Sequence, residues 1–292
     1  MTTRSPFDPL KDAAKYIRVF RDKPFVVKIG GDILADAALR QSICGQIALL
    51  HSFAIPLVVV HGGSGAIDAL CEQLKLTSHK LAGRRITSPE VLQASKMALR
   101  GCVQMDLLHA MQTAGLQAVG LSGQDARTVL SHRRAPVTLN GEAVDFGCVG
   151  DIDAVDTTLL RHLLAGGYVP VIAPFTVDAN HDVLNTNADS VAAAIAIALG
   201  VQKLFFVVKV AGLLSHPDDA SSLLPLADLE KIAALESNGV IRGGMLPKMA
   251  AAKSALAAGV GSVHIVSGIL PDAILTEVFT NEGSGTMIVA RS

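Results

Sequence analysis

The strongest constraint on this chain is a rhythm. Short runs of β-branched and apolar residues alternate with longer stretches of helical periodicity almost from end to end. Such alternation specifies an α/β fold with a mainly parallel sheet, because parallel neighbours need a long crossover and a helix is the usual one. Phe25 to Ile29 and Leu57 to Val60 read as the first two strands, with helices over Ala37 to Ser52 and Gly65 to Leu74. A long helical pattern runs from Pro89 to Thr113 and leads to a strand near Ala118. The polar stretch Arg127 to Gly150 then interrupts the rhythm and reads as β-hairpins or a lid. The rhythm resumes with helix Thr157 to Leu164, strand Val169 to Ala173, helix Ala188 to Leu199 and strand Lys203 to Val208. Helices near Leu226 to Leu235 and Pro247 to Ala258, strand Ser262 to Val266, helix Pro271 to Phe279 and strand Thr286 to Val289 complete it.

Composition agrees. Half of the 292 residues are hydrophobic while aromatics are 4%, which suits strands covered by helices on both faces. With 25 basic and 26 acidic residues there is no basic field to hold nucleic acid, so no nucleic-acid partner is expected. The richest apolar run, Val191 to Leu199, is too short to span a bilayer and no signal peptide opens the chain, so no membrane partner is expected either. Cys44, Cys71, Cys102 and Cys148 are scattered without a C-x-x-C pair. They read as reduced core thiols of a cytoplasmic protein, with no metal site among them. Clustered Pro, Asp, Asn and His near residues 174–184 mark a boundary between two lobes, residues 25–180 and 181–292. Ahead of both, residues 1–24 hold an amphipathic helix in which Leu10, Ala13, Ala14, Ile17 and Phe20 share a face that must pack on something.

Chemistry gathers where strands give way to glycines. Lys28-Ile-Gly-Gly31 ends a buried strand with a lysine and opens a turn with Gly30 and Gly31. His61-Gly-Gly-Ser-Gly65 repeats the design with Gly62 and Gly63 and runs into a helix N-terminus, a ready anion-binding geometry. Neither a dinucleotide fingerprint nor a Walker A sequence is present. In Asn185-Thr-Asn-Ala-Asp189 two amides and an acid precede a helix, more polar groups than one N-cap requires. Gly243-Gly-Met-Leu-Pro-Lys248 sets a lysine close to a helix N-terminus, against the macrodipole, which an anionic ligand would explain. Arg84 and Arg85 offer a fork for a carboxylate.

These motifs, with Leu121-Ser-Gly-Gln-Asp125, Gly147-Cys-Val-Gly150 and Gly285-Thr-Met-Ile288, follow the order seen in the acetylglutamate kinases of the amino-acid kinase family, which the chain resembles from Phe25 to Ile288. The resemblance implies an open αβα sandwich, an N-terminal lobe for the acyl amino acid and a C-terminal lobe for ATP with Mg2+. By motif, Lys28 and Lys248 would contact the phosphoryl group in flight and Asp189 would hold both ammonium groups in place. Gly30, Gly31, Gly62 and Gly63 would offer backbone N–H groups to phosphate, while Arg85 and Asn185 would bind the carboxylate end of N-acetyl-L-glutamate. Arginine-inhibited members carry an N-terminal helix that interlaces dimers into hexamers. By that resemblance Tyr16, His264, Glu277, Gly283 and Gly285 would line a site for L-arginine in a homo-oligomer, dimer or hexamer.

The chain departs from the family pattern at Val208-Lys209, where an acid is common, at Ser64-Gly65-Ala66, and at Gln124. Two other readings stay open. A basic rim of Arg84, Arg85, Arg133 and Arg134 admits a kinase for a related carboxylate, such as aminoadipate on a carrier protein. Leu49-Leu-His-Ser52 and the N-terminal helix also resemble the kinase-like domain of acetylglutamate synthases, which binds arginine without transferring phosphate, although both lysines and the acid are kept here.

Overall fold

The computed structural model describes residue 5 and residues 8–81, 84–139, 141–216 and 219–291. Gly83, at the head of the arginine motif, and the first residues of the N-terminal segment lie outside these.

In chain order the strands are β1 (Phe25–Ile29), β2 (Leu57–His61), β3 (Lys80–Leu81), β4 (Arg84–Arg85), β5 (Ala118–Ser122), β6 (Val129–Arg133), β7 (Val137–Leu139) and β8 (Glu142–Val144). They continue with β9 (Gly150–Val155), β10 (Val169–Ala173), β11 (Phe175–Val177), β12 (Val183–Asn185), β13 (Lys203–Val208), β14 (Leu226–Asp228), β15 (Ser262–Ser267) and β16 (Thr286–Val289). The helices are α1 (Asp8–Phe20), α2 (Gly31–Leu34), α3 (Ala37–Ser52), α4 (Ser64–Gln73), α5 (Pro89–Lys96) and α6 (Gln104–Thr113). After these come α7 (Thr158–Ala165), α8 (Ala188–Leu199), α9 (Leu229–Ser237), α10 (Met245–Ala257) and α11 (Ala273–Phe279).

One eight-stranded sheet, in the order β14-β16-β15-β13-β1-β2-β10-β5, runs through the molecule. The strands from β15 to β5 are parallel, and β16 turns the ladder antiparallel at the other edge. Strand alternation divides the core in two. Val26, Val58, Val60, Leu204 and Phe206 face α8, α9 and α10, whereas Phe25, Val27, Leu57, Val59 and Phe205 face α3, α6 and α11. The expected αβα sandwich is thus the observed fold, and Lys28, in phase with Val26, emerges on the α8 and α10 face. A second sheet, β12-β11-β6-β9, with the β7-β8 ribbon beside it, is the hairpin region expected over Arg127 to Gly150, and residues 174–184 contribute β11 to it.

Three local expectations change. Leu226–Asp228 is a strand paired with β16, and the helix begins only at Leu229, where the Asp228 carboxylate caps it by accepting from the Lys231 N–H at 2.8 Å. The helix from Pro89 to Thr113 is continuous but holds a π-helical stretch, Met97–Val103, a form that often marks a functional segment. Its Cys102 is exposed and Cys148 half-buried, so only Cys44 and Cys71 are core thiols.

Candidate active site

Parallel sheets bind ligands beyond the carboxyl ends of their strands, at the point where successive connections leave in opposite directions. Here β1 is followed by β2 on one side and, later, β13 lies on the other. A cavity of about 1160 Å³ opens at that point, walled by the two glycine turns, the start of α8, the start of α10 and strands β9 and β12.

At its floor three charged side chains meet. Lys28 Nζ lies 2.8 Å from Asp189 Oδ1, and Lys248 Nζ donates to both Asp189 oxygens at 3.0 Å. All three are less than a tenth exposed. Burial alone would raise the Asp189 pKa, but the two neighbouring ammonium groups hold it below the usual carboxylate range. For Lys248, burial and the Lys28 charge outweigh the attraction of Asp189 and lower its pKa. Its ammonium also lies 4.9 Å from the centre of the Phe206 ring, a favourable cation–π contact. Two buried cations therefore share one buried anion. The excess positive charge faces the cavity, where an anionic ligand would offset it.

Asn185, Asn187 and Asp189 form one group in the sequence, and the structure gives each a different task. Asn187 is the N-cap of α8, its Oδ1 accepting from the N–H groups of Asp189 and Ser190. That cap orients the first turn so that Asp189 points at the lysines. Asn185 ends β12 and donates from Nδ2 to Thr87 Oγ1 at 3.2 Å. Backbone bridges join Thr87 to Gly147 and Val149 to Asn185, tying three dispersed motifs into one wall of the cavity. Gly147 is required there, since its φ is +71° and a Cβ would fall 2.3 Å from the Thr87 carbonyl oxygen.

The two glycine turns pack directly on each other. A Cβ at Gly31 would meet Gly63 Cα at 2.7 Å, and one at Gly63 would meet Leu99 Cδ2, from the π-helical stretch, at 2.3 Å. The expectation that all four glycines offer N–H groups to phosphate is corrected in one respect. Gly30 donates to the Val207 carbonyl and Gly62 to the Ile29 carbonyl, both at 2.9 Å, because the parallel ladder runs one residue past the strand ends. The N–H groups of Gly31 and Gly63 have no acceptor among the described residues.

Arg85 is buried, paired with Asp68 at 2.6 Å, and donates to Ser78 and to the Ser64 carbonyl and hydroxyl, so it braces the start of α4 at the cavity wall. Arg84, Asp32 and Lys209 also line the cavity. Leu121 to Asp125, by contrast, line none of it. Asp125 accepts from the Ser122 N–H and hydroxyl and pairs with Arg100, so that motif folds a corner.

The remaining sequence candidates gather on the other face of the sheet, where His264 of β15 is in register with Phe205 and through it with Val27 and stacks on the Phe205 ring on the side toward α3 and α11. His264 Nδ1 lies 2.7 Å from Glu277 Oε1, while Glu277 Oε2 accepts from the N–H groups of Ser284 and Gly285. Gly283 lies against the same carboxylate, with room for a Cβ only 2.9 Å from Oε2. Tyr16, on α1, hydrogen-bonds Asn281 near this group. Burial lowers the His264 pKa to about 4, so its contact with Glu277 is a hydrogen bond from a neutral ring rather than an ion pair at neutral pH. Sequence reasoning missed Lys203, whose Nζ lies 2.9 Å from His264 Nε2 and 5.1 Å from the Phe20 ring centre. Burial brings its pKa down to about 8 against the pull of Glu277. The one available signal was a lysine opening an otherwise apolar strand.

Comparisons with known proteins bear on this geometry. The model of the amino acid kinase family matches residues 23–267. The acetylglutamate kinase of Myxococcus xanthus is 53% identical over 97% of this chain and 94% of its own length. That of Methanothrix thermoacetophila is 36% identical over 96% of each. Among solved structures, the N-acetylglutamate synthase of Neisseria gonorrhoeae complexed with coenzyme A and N-acetyl-glutamate superposes with a TM-score of 0.85 at 25% identity over 99% of this chain, which spans 64% of that protein. Carbamate kinase of Giardia lamblia shares the fold, with a TM-score of 0.66 at 18% identity.

Proposed function

Because the chain belongs to the amino acid kinase family, and within it to the acetylglutamate kinases, we propose that it phosphorylates the γ-carboxylate of N-acetyl-L-glutamate with ATP, forming an acyl phosphate in arginine biosynthesis. The observation that carries this reading is the pair of buried lysines sharing Asp189 at the cavity floor. The acceptor carboxylate is already ionised at neutral pH, so the reaction needs no general base. It needs the two reactants in line and their negative charges offset. Lys28 and Lys248 neutralise charge on the phosphoryl group, Asp189 fixes their positions, and the free N–H groups of Gly31 and Gly63 bind phosphoryl oxygens. Arg85, with Asn185, takes the α-carboxylate end of the acyl amino acid.

We assign residues 25–180 to acyl amino acid binding and 181–292 to ATP. A small apolar pocket of about 150 Å³, lined by Val210, Leu213, Leu214, Ile241 and Met245, adjoins the main cavity and suits the adenine. Magnesium fits as an ion carried on the nucleotide's phosphates. Among the described residues Asp32 is the cavity-lining carboxylate outside any ion pair, and it would hold that ion, which supplies charge neutralisation when bound. The cluster of Tyr16, His264, Glu277, Gly283 and Gly285, with Lys203, is the proposed L-arginine site. Its contact with α1 supports a regulatory and oligomerising role for residues 1–24, in a homodimer or homohexamer. The reading carries with it a cytoplasmic location, where ATP is available.

Trapping with hydroxylamine tests the reaction. With MgATP, N-acetyl-L-glutamate should give a hydroxamate while free glutamate and aminoadipate give little, and added L-arginine should depress the rate. Equal product from aminoadipate would favour the related-carboxylate kinase. No product from any acceptor, with saturable arginine binding, would favour a sensor of the synthase type.

A further inference from the structure

We infer that His61 is the positioning residue that aims the Gly63 N–H into the active-site cavity, by holding the carbonyl of the Gly62–Gly63 peptide from behind. The inference rests on the phosphoryl-transfer reading above.

His61 closes β2 and is fully buried. Strand alternation places it in phase with Leu57 and Val59, on the face toward α3 and α6, whereas Lys28 stands on the other face. The Gly62–Gly63 turn therefore lies between them. A Cβ at Gly62 would sit 3.8 Å from Lys28 Cε, and His61 Nδ1 lies 3.3 Å from the Gly62 carbonyl oxygen.

Burial, reinforced by the Arg100 and Lys28 charges and opposed by the Gly62 carbonyl, lowers the His61 pKa to about 4, so the ring carries one proton at neutral pH. Its location follows from the contacts. Nε2 is buried without a partner among the described residues. A proton there would strand a donor and leave the Nδ1 lone pair facing a carbonyl oxygen. The proton on Nδ1 instead makes a hydrogen bond to Gly62.

The described residues contain no cis peptide, and a trans peptide points its C=O and N–H in opposite directions. Fixing the Gly62 carbonyl toward His61 therefore directs the Gly63 N–H away from it, on the side where both glycines line the cavity. A peptide between two glycines has no Cβ to resist flipping. Flipping would present a carbonyl oxygen to an anionic ligand. His61 supplies the restraint that the glycines lack, and touches no reacting group itself.

The test uses the different reach of two amides. His61→Asn sets an amide nitrogen near the place of Nδ1, His61→Gln near that of Nε2, and His61→Leu provides neither. In the hydroxamate assay, His61→Gln and His61→Leu should lose about 10²-fold in kcat, the scale of a misplaced reacting geometry. KM for N-acetyl-L-glutamate and ATP should stay within about twofold, and His61→Asn should recover kcat to within about fivefold of wild type. Equal losses in the Asn and Gln variants that track a lowered Tm, or wild-type kcat in His61→Leu, would overturn the inference. Nitrogen NMR of histidine-labelled wild-type protein tests it without a variant, with Nδ1 protonation expected and Nε2 protonation contradicting it. Wild-type protein that forms no hydroxamate overturns the functional reading itself, a result distinct from an active wild type whose Asn and Gln variants fall together.

Discussion

Replacing Asp189 by Asn should cut kcat by about 10³-fold, the upper range for losing one preorganised electrostatic group. It should also destabilise the fold by about 3–5 kcal/mol, the usual consequence of removing one partner from a buried ion pair. Both effects have one origin. Lys28 and Lys248 are buried, and Asp189 is the anion between them. Without it, the burial and Lys28 charge that already lower the Lys248 pKa would be opposed only by the smaller pull of Asp32. The variant should therefore recover part of its activity as pH is lowered, because the lysines are cationic only below their pKa. Stability should move the other way in the wild type. The folded Asp189 pKa is depressed below 3.8, so its contribution is present above that value and is lost as pH falls through the folded one. The Tm gap between wild type and Asp189→Asn should shrink in acid. Thermal melts and pH–rate profiles of the two proteins check this, and a gap independent of pH would contradict it.

The second large effect concerns the lysines. Lys28→Met and Lys248→Met each keep an apolar stem of similar length and remove a charge. Each should lower kcat by about 10²–10³-fold, and the double variant should be little worse than either single one, since the groups act as a unit. KM for N-acetyl-L-glutamate should change little, because Arg85 and Asn185 are the proposed contacts of that substrate. Kinetics of the three variants decide the matter, and near-wild-type turnover in either single variant would remove that lysine from the mechanism.

Much of this site is legible in the sequence. Lys28 and the two glycine pairs stand at strand ends, and strand ends in a parallel sheet are visible as apolar runs that stop at glycine. What could not be read was how long-range register distributes tasks. Asn185, Asn187 and Asp189 alternate along one segment, but only the tertiary placement of Thr87, the α8 N-terminus and the two lysines makes them wall, cap and charge partner. Whether Gly30 and Gly62 keep a free N–H depends on carbonyls of other strands, and the sheet order lies outside any local pattern. By sequence Arg85 is an open fork for a carboxylate, yet Asp68, 17 residues earlier, occupies part of it. The π-helical turn that presses Leu99 on Gly63 has helical periodicity on both sides and so left no local signal. The start of the helix after Leu226 is hidden for a simpler reason. Three residues of strand ahead of a capped helix share its apolar content.

The central claim, that a substrate carboxylate oxygen attacks the γ-phosphorus at the Lys28–Asp189–Lys248 floor, is tested most directly with N-acetyl-L-glutamate carrying oxygen-18 in its γ-carboxylate. Incubation with MgATP and hydroxylamine cleaves the acyl phosphate at its carbonyl carbon, so the bridging oxygen leaves with phosphate. The account predicts inorganic phosphate bearing one oxygen-18 atom, in equal amount to hydroxamate. Unlabelled phosphate without hydroxamate would mean that water is the nucleophile, and would contradict it.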